Sequence, residues 1–188
     1  MEPVRRIVDG RRADTVQRLL DAALEEVRAV DYGELTVRTV AKRADVSPAT
    51  AYTYFSSKDH LISSVVWRRM REVTSSFADG ASLSDIVGGI TAFFAEEPEL
   101  SRAATSALLA DDPEVARLRD EIAGEVTRSF AGVLGNVTPT TTESVLMAFV
   151  GGLVLAGQGY LAFDQIADRL AALVEQLHPT PARRTRKR

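Results

Sequence analysis

The chain has 188 residues, of which 45% are hydrophobic and 26% charged, a balance typical of globular rather than disordered proteins. This length suits one ordinary domain or two small ones. The absence of cysteine excludes disulfide bonds and thiolate metal sites. The first twelve residues lack the apolar segment of a secretory signal peptide, so we expect a soluble, cytoplasmic protein.

The net charge of −3 is unevenly distributed along the chain. Residues 1–72 carry 13 basic and 11 acidic side chains, whereas residues 73–178 carry 5 and 15. An acidic body disfavours non-specific binding to phosphates, while the N-terminal part permits it. A net charge of +2 over residues 1–72 does not by itself indicate DNA binding.

Each end of the chain allows two interpretations. The tail at 179–188 carries five basic residues and is predicted to be disordered; it either solubilises the chain or adds non-specific affinity for DNA. Residues 1–12 are either a solvated terminus or an arm that touches phosphates or the minor groove. The basic residues of that arm are Arg5, Arg6, Arg11 and Arg12.

Three helices are predicted in the first third of the chain. Asp14 followed by Gln17 is an N-cap signature for the first helix. Thr36 caps a short second helix, whose apolar positions recur at i, i+3, i+4 and i+7. Ser47 caps the third, because Ser is a preferred N-cap and Pro48 suits the first helical position. Two short helices joined by a tight turn indicate a helix-turn-helix.

Six further helices follow, which makes the predicted fold all-α with about nine helices. Ser56 or Ser57 caps a fourth helix that runs to Phe77, and this helix is long enough to connect the first part of the chain to the rest. No strand-like alternation of useful length and no repeat is present. The starts of the last five helices are indicated by Ser82 with Asp85, Pro98, Asp112 with Pro113, Thr140 with Glu143, and Asp164.

The segment Val145–Tyr160 forms the most apolar of these helices. Its uninterrupted apolar run ends at Gly157, short of the roughly 20 residues that a bilayer requires, so we expect no membrane span. A helix that is apolar on all sides is buried on several sides. It is either a core helix of one protomer or part of an interface between two copies.

The sequence offers no pattern typical of catalysis. The two histidines, His60 and His178, lie in separate segments without metal-ligand spacing. The acidic pairs Glu96–Glu97 and Asp111–Asp112 fall at predicted helix boundaries, where the helix dipole favours carboxylates at N-termini. We therefore expect neither an enzyme nor a bound cofactor or metal ion.

The run Val46–Leu61 reads V-S-P-A-T-A-Y-T-Y-F-S-S-K-D-H-L. Over residues 14–71 the chain resembles the DNA-binding domain of the TetR family of transcriptional regulators, whose third helix follows V-S-x-x-T-x-Y-x-Y-F. Three positions depart from the family pattern. Ala51 stands where a larger aliphatic residue is usual, and Asp31 and Asp45 stand where Gly is common; Asp tolerates the left-handed backbone conformation better than most residues.

The resemblance implies a homodimer that binds palindromic, double-stranded operator DNA. It divides the chain into a DNA-binding domain with a basic arm at 1–56, an effector-binding and dimerisation domain at 57–178, and the tail. Tyr52 and Lys58 would bind phosphate, although either tyrosine of the third helix could instead pack with its hydroxyl at the surface. The DNA-binding residues implied are Arg38, Ser47, Pro48, Ala49, Thr50, Tyr52, Thr53, Tyr54 and Lys58.

The resemblance also implies an effector pocket in the second domain and a dimer interface on its last two helices. A small, largely apolar effector, with one acidic group met by an arginine, would suit the aromatic lining; the alternative is that these side chains fill the core. The lining residues predicted are Trp67, Met70, Phe93, Phe94, Phe130, Met147 and Phe149. The dimerisation residues predicted are Gly151, Gly152, Leu155, Gly159, Leu170, Leu173 and Leu177.

The function implied is that of a repressor which an effector releases from DNA, with the fourth helix as the lever. The main alternative is an effector-independent regulator, whose second domain only dimerises or binds a protein partner. A DNA-binding module used in recombination or replication is a more distant alternative. Sequence-specific retention on DNA would distinguish all of these from an enzyme.

Overall fold

The computed structural model describes residues 3–76, 80–135 and 137–177, and these ranges contain α-helices and no strand. The predicted all-α fold is confirmed. The predictions for Phe77, His178, the tail, and the arm's Arg5, Arg6 and Arg11 side chains fall outside what the structure describes. The helices are α1 (Pro3–Ala29), α2 (Val37–Arg43), α3 (Pro48–Tyr54), α4 (Lys58–Ser75), α5 (Leu83–Glu96), α6 (Pro98–Leu108), α7 (Pro113–Leu134), α8 (Pro139–Gly157) and α9 (Asp164–Leu177).

Most helices begin where their capping residues predicted. The Thr36 hydroxyl accepts a hydrogen bond from the Thr39 N–H at 3.0 Å, and the Ser47 hydroxyl accepts from Thr50 N–H at 3.1 Å. Ser57 rather than Ser56 caps α4. Such a cap satisfies one of the backbone N–H groups that the first helical turn leaves unpaired.

Two predicted helix starts are wrong. α1 begins at Pro3, well before Asp14, whose carboxylate lies 3.5 Å from Arg18 Nε one turn along the helix and does not cap it. α8 begins with Thr138 as its cap and not with Thr140. Pro139 explains the second shift, because proline lacks an N–H and fits the first helical position that follows a cap.

The turn between α2 and α3 uses a left-handed residue. Asp45 has a φ of 52°, as its position in place of a glycine predicted. Asp31 does not adopt a positive φ, and the turn at this position forms without the left-handed conformation. Its carbonyl oxygen instead accepts hydrogen bonds from the N–H groups of Glu34 at 2.9 Å and Leu35 at 3.2 Å.

One continuous core joins the N-terminal helices to the body. α4 packs against α1, α5, α6 and α7, and α1 also packs against α2 and α6, so α1 and α4 connect the helix-turn-helix to the body. α8 packs on α7 and α9, and α5 packs on α9. The fully buried residues that extend through both parts include Leu19, Val40, Leu61, Ile62, Val66, Ile90, Leu100 and Phe130.

α8 has two apolar faces with different surroundings. One face lies in the core and carries Val145, Phe149 and Ala156. The other is exposed, with 71% of Met147 and 49% of Leu155 accessible. By length and composition α8 could cross a membrane, the only helix of the described ranges that could, but its inner face is the core face of a helical bundle. The outer face of α8 is an apolar surface that the other helices in the described part of the protomer leave exposed.

Candidate nucleic-acid interface and effector cavity

The buried side of α3 carries one small and one aromatic side chain. Ala51 is fully buried and Phe55, at the C-terminal end of α3, is 4% exposed. α3 packs against α2. Of the nine predicted DNA-binding residues, seven are exposed; they are Arg38, Ser47, Pro48, Ala49, Thr50, Tyr52 and Thr53.

The hydroxyl groups of α3 are held in place by short local bonds. The Thr50 and Ser47 hydroxyl oxygens are 2.8 Å apart, and the Thr53 hydroxyl donates to the Ala49 carbonyl at 3.0 Å. Tyr54 is half-buried and packs against the core, and the rest of its side chain is exposed at the surface of α3.

The Lys58 side chain, which the sequence predicted to bind phosphate, already makes contacts within the protein. Its ammonium group donates to the Tyr32 carbonyl oxygen at 2.8 Å and lies 4.4 Å from the centroid of the Tyr32 ring. The Tyr32 hydroxyl in turn hydrogen-bonds Asp59. Lys58 therefore ties the start of α4 to the loop between α1 and α2.

Among the basic side chains near α3, Arg38 and Arg43 differ in their partners. Arg43 Nε donates to Glu26 Oε2 at 2.6 Å, so its charge is largely compensated within the protein. Arg38 is exposed and makes no ion pair within the described residues. An uncompensated guanidinium on the exposed side of α2 is suited to bind either a phosphate or a guanine edge.

A carboxylate junction, formed by Asp112, Ser56 and Ser57, connects the body to the start of α4. Asp112 Oδ2 accepts from the Ser57 hydroxyl at 2.6 Å and from the Ser56 hydroxyl at 3.4 Å. Asp112 Oδ1 accepts from the Glu114 N–H at 2.8 Å and so caps α7. The Ser57 hydrogen bond holds the pKa of Asp112 below its usual value. The sequence predicted both caps but not that they meet.

His60 lies beside this junction, one turn into α4. Its Nδ1 is 3.3 Å from the Ser56 N–H nitrogen, and its ring meets Phe55 edge-on at a centroid distance of 5.5 Å. Burial lowers the pKa of His60, because the charged imidazolium is disfavoured where water is excluded; the nearby Asp112 acts in the opposite direction.

A cavity of about 280 Å³ lies among α4, α6, α7 and α8. Of the predicted lining residues, Met70, Phe94 and Phe149 line it. The remaining wall is almost entirely aliphatic, and sequence reasoning missed these residues because aliphatic side chains in a helix read as ordinary core. They include Ala104, Leu108, Ile122, Val126, Leu146, Val150, Leu153 and Val154, with Phe163 from the loop before α9.

Four of the predicted lining residues lie elsewhere. Met147 is 71% exposed on the outer face of α8, since it lies a half-turn from the buried Val145 and Phe149. Phe130 is buried against Phe149 with ring centroids 5.3 Å apart, and Phe93 is likewise a core residue outside the cavity wall. Trp67 borders a separate polar groove between α1 and α4.

Arg119 is the charged residue in the cavity wall, among the residues that the structure describes. Its Nη1 donates to the carbonyl oxygens of Leu108 at 2.7 Å and Ala110 at 3.0 Å, at the C-terminal end of α6. Carbonyl groups at a helix end lack intrahelical partners, so the guanidinium satisfies them and complements the helix dipole. Its Nε and Nη2 make no hydrogen bond within the described residues.

The predicted dimerisation residues separate into two groups. Gly152 and Leu170 belong to the protomer's own core and not to an interface. A Cβ at Gly152 would lie only 3.3 Å from Ile166 Cγ2, and Leu170 is 3% exposed. Leu173 is half-buried. Those that the structure leaves at the surface are Gly151, Leu155, Gly159 and Leu177.

Comparisons with known proteins agree with this architecture. Residues 19–65 match the model of a family described as bacterial regulatory proteins, tetR family. An uncharacterized HTH-type transcriptional regulator of Mycobacterium tuberculosis is 40% identical over 171 residues, which cover 87% of this chain and 80% of the relative. The HTH-type transcriptional repressor KstR of Rhodococcus jostii is 28% identical over 179 residues, covering 89% of this chain and 84% of KstR.

The same fold is found in a crystal structure of a TetR transcriptional regulator from Rhodococcus sp. RHA1. It matches with a TM-score of 0.72 at 20% identity, covering 88% of this chain and 98% of that one. Both relatives are described as HTH-type regulators of transcription. The capped helix-turn-helix, the all-helical body and the 40% identical relative together show that the chain belongs to the TetR family of bacterial transcriptional regulators.

Proposed function

We propose that the chain is a homodimeric repressor that binds a palindromic operator in the cytoplasm and is released by a small, largely apolar effector. The observation that carries this proposal is the combination of an exposed reading surface on α3 with an apolar cavity in the body, joined through α4. In this proposal residues 1–56 form the DNA-binding domain, residues 57–178 the effector-binding and dimerisation domain, and residues 179–188 the tail.

The reading surface supports DNA binding through its geometry. α3 exposes hydroxyl and small side chains along one side, and this lets a helix enter the major groove closely. In this proposal Arg38, Thr50 and Thr53 read bases, and Tyr52, which is 50% exposed, binds a phosphate. Lys58 contributes to phosphate binding through the donors that Tyr32 does not use, aided by the N-terminus of α4.

The outer face of α8 supports dimerisation. Met147, Val150, Val154 and Leu155 are between 37% and 71% exposed and repeat at helical spacing, which places them on one stripe. Val150 and Val154 on this stripe also line the cavity. An exposed stripe of this kind marks an interaction surface in a protein that is not membrane-bound. Gly151 lies within the stripe and allows a second helix to approach closely. We assign this face to a second copy of the chain.

The cavity supports an effector with an apolar body and one acidic group. Its wall offers aliphatic and aromatic surface, and the hydroxyls of Ser101 and Thr105 are already used, since they donate to carbonyl oxygens within the protein. Arg119 is then the group that would recognise a carboxylate. At about 280 Å³ the cavity suits a small ligand such as a medium-length acyl chain.

Release from DNA would follow from different affinities of the effector for two conformations. An effector that favours a conformation whose two reading helices no longer match the half-site spacing weakens operator binding. By linkage, the operator weakens effector binding by the same factor. α4 follows α3 directly in sequence and contributes Met70 to the cavity wall, so in this proposal it is the lever of the switch.

In vitro selection of DNA with the full chain tests the proposal. We expect recovery of a palindrome bound by a dimer, which sedimentation analysis of the free and bound protein would show. Recovery of duplexes without two-fold symmetry, or binding as a monomer, would contradict it. Binding of a palindrome that no apolar carboxylate disturbs would favour the effector-independent regulator.

A further inference from the structure

The carboxylate junction joins the body to the residues that directly follow α3 in sequence. Ser57, the cap of α4, follows Phe55 at the end of α3 by two residues. Asp112, the cap of α7, is separated from Ser57 by 55 positions in sequence. Their 2.6 Å hydrogen bond therefore joins the N-termini of two long helices that belong to different parts of the molecule.

The junction is stronger than an ordinary surface contact. The acceptor is a carboxylate, and hydrogen bonds to charged groups are about twice as strong as those between neutral groups. The carboxylate faces the N-termini of both α4 and α7, and each of these ends favours a negative charge. The Ser57 hydroxyl also accepts from His60 N–H at 3.0 Å, which fixes its direction.

The same helix connects the junction to the cavity. Arg119 lies seven residues after Asp112, about two turns along α7, and lines the cavity while holding the end of α6 through the Leu108 and Ala110 carbonyls. The segment between α6 and α7 is therefore fixed at one end by Arg119 and at the other by Asp112. A ligand that accepts hydrogen bonds from Arg119 would compete with the Leu108 and Ala110 carbonyl oxygens and so change the contacts of this segment.

We propose that Asp112 is a positioning residue for DNA reading, which sets the position of α3 relative to the body by holding the Ser57 cap of α4. It does not touch DNA. Asp112 fixes the spacing of the two α3 helices in the dimer. It also transmits a change in cavity occupancy to the start of α4. This inference rests on the proposed function, because half-site spacing matters only for a dimer on a palindrome.

The test compares two kinds of duplex, a palindrome recovered by selection with the wild-type chain and a duplex that contains one half-site. The variants are Ser57→Ala, Asp112→Asn and their combination. Asn still caps α7, so Asp112→Asn removes the charge without removing the cap. We expect each single variant to weaken binding to the palindrome about tenfold and to leave half-site binding unchanged. The double variant should be no weaker than either single one.

Ser82 and Asp85 provide matched controls within α5. The Ser82 hydroxyl caps α5 and is 2.7 Å from the Asp85 carboxylate, so the same bond exists there but joins nothing beyond the first turn of one helix. Ser82→Ala and Asp85→Asn should lower the thermal stability about as much as Ser57→Ala and Asp112→Asn, with wild-type affinity for the palindrome.

The outcomes separate this inference from the proposed function. If selection recovers no palindrome, the proposed function itself is wrong. If a palindrome is recovered and Ser57→Ala and Asp112→Asn bind it as tightly as the Ser82 and Asp85 variants do, only the role of Asp112 is wrong. Parallel loss of half-site and palindrome binding would also overturn it, because it would place the effect within one DNA-binding domain rather than in the spacing.

Discussion

Ala51 and Phe55 set the character of the reading helix at the scale of single residues. Both are buried, and the small Ala51 side chain lets α3 lie close to α2. Pro48 and Ala49 expose little that can distinguish one base from another. Base selection in this account therefore depends on a few side chains, which are Arg38, Thr50, Thr53 and Tyr54.

The Tyr52 hydroxyl is expected to bind a phosphate. Tyr52→Phe should weaken binding to the selected palindrome and to a scrambled duplex alike, by about tenfold, because one hydrogen bond to a charged group is lost. Fluorescence anisotropy with both duplexes measures this. Tyr160→Phe is the matched control, since Tyr160 is 83% exposed near the end of α8, far from α3 in sequence. A change in base preference for Tyr52→Phe would contradict the phosphate assignment.

His60 is expected to make stability depend on pH near neutrality. Its pKa is lowered from the usual 6.5 by burial, so the unfolded chain binds the proton more readily than the folded one. The corresponding stability is present above pH 6.5 and is lost as the pH falls from 6.5 toward the folded-state pKa. Chemical denaturation of wild type and His60→Gln should show a flatter pH dependence in the variant, in which His178 is retained. Equal slopes would contradict this.

At the scale of helices, local sequence signals predicted most of the helix starts. The start of α8 was missed because several possible capping residues lie next to one another. Ser47 with Pro48 and Asp112 with Pro113 were correct because a cap and a first-turn proline agree. Before α8, several threonines in succession are all possible caps, and Pro139 decides between them. α1 was mispredicted for a different reason, since an Asp inside a helix can pair with an Arg one turn away.

The outer face of α8 is expected to hold the dimer together. Met147→Arg should raise the dimer dissociation constant about a hundredfold, because it brings an unpaired charge into an apolar interface from both copies. Analytical ultracentrifugation over a range of concentrations measures it. Ala92→Arg, at an exposed position of α5, is the control and should leave the dimer intact. An unchanged dimer in Met147→Arg would remove α8 from the interface.

The cavity is expected to admit an effector along α6. Ala104 is 3% exposed and lines the cavity, so Ala104→Phe should fill part of it. We expect decanoate to raise the melting temperature of the wild type but not of Ala104→Phe, with the exposed Ala92→Phe behaving as wild type. Equal stabilisation of all three proteins would place decanoate outside the cavity.

At the scale of the whole molecule, sequence predicted the family and the fold but not the long-range contacts. The motif in α3 and its caps are local, so a resemblance could identify them. The contact of Asp112 with Ser57 and the placement of Arg119 in the cavity wall depend on how helices distant in sequence pack. Met147 illustrates the same limit, because an apolar helix shows its inner and outer faces only when its neighbours are known.

The most direct test of the central claim is the coupling between cavity and operator. The affinity of the full-length dimer for its selected palindrome is measured at fixed salt with and without octanoate, decanoate and dodecanoate. Binding of the same carboxylates is then measured with and without the palindrome. The account predicts that at least one carboxylate weakens operator binding severalfold or more, and that the palindrome weakens its binding by the same factor. A carboxylate that occupies the cavity while operator affinity stays unchanged would contradict the claim.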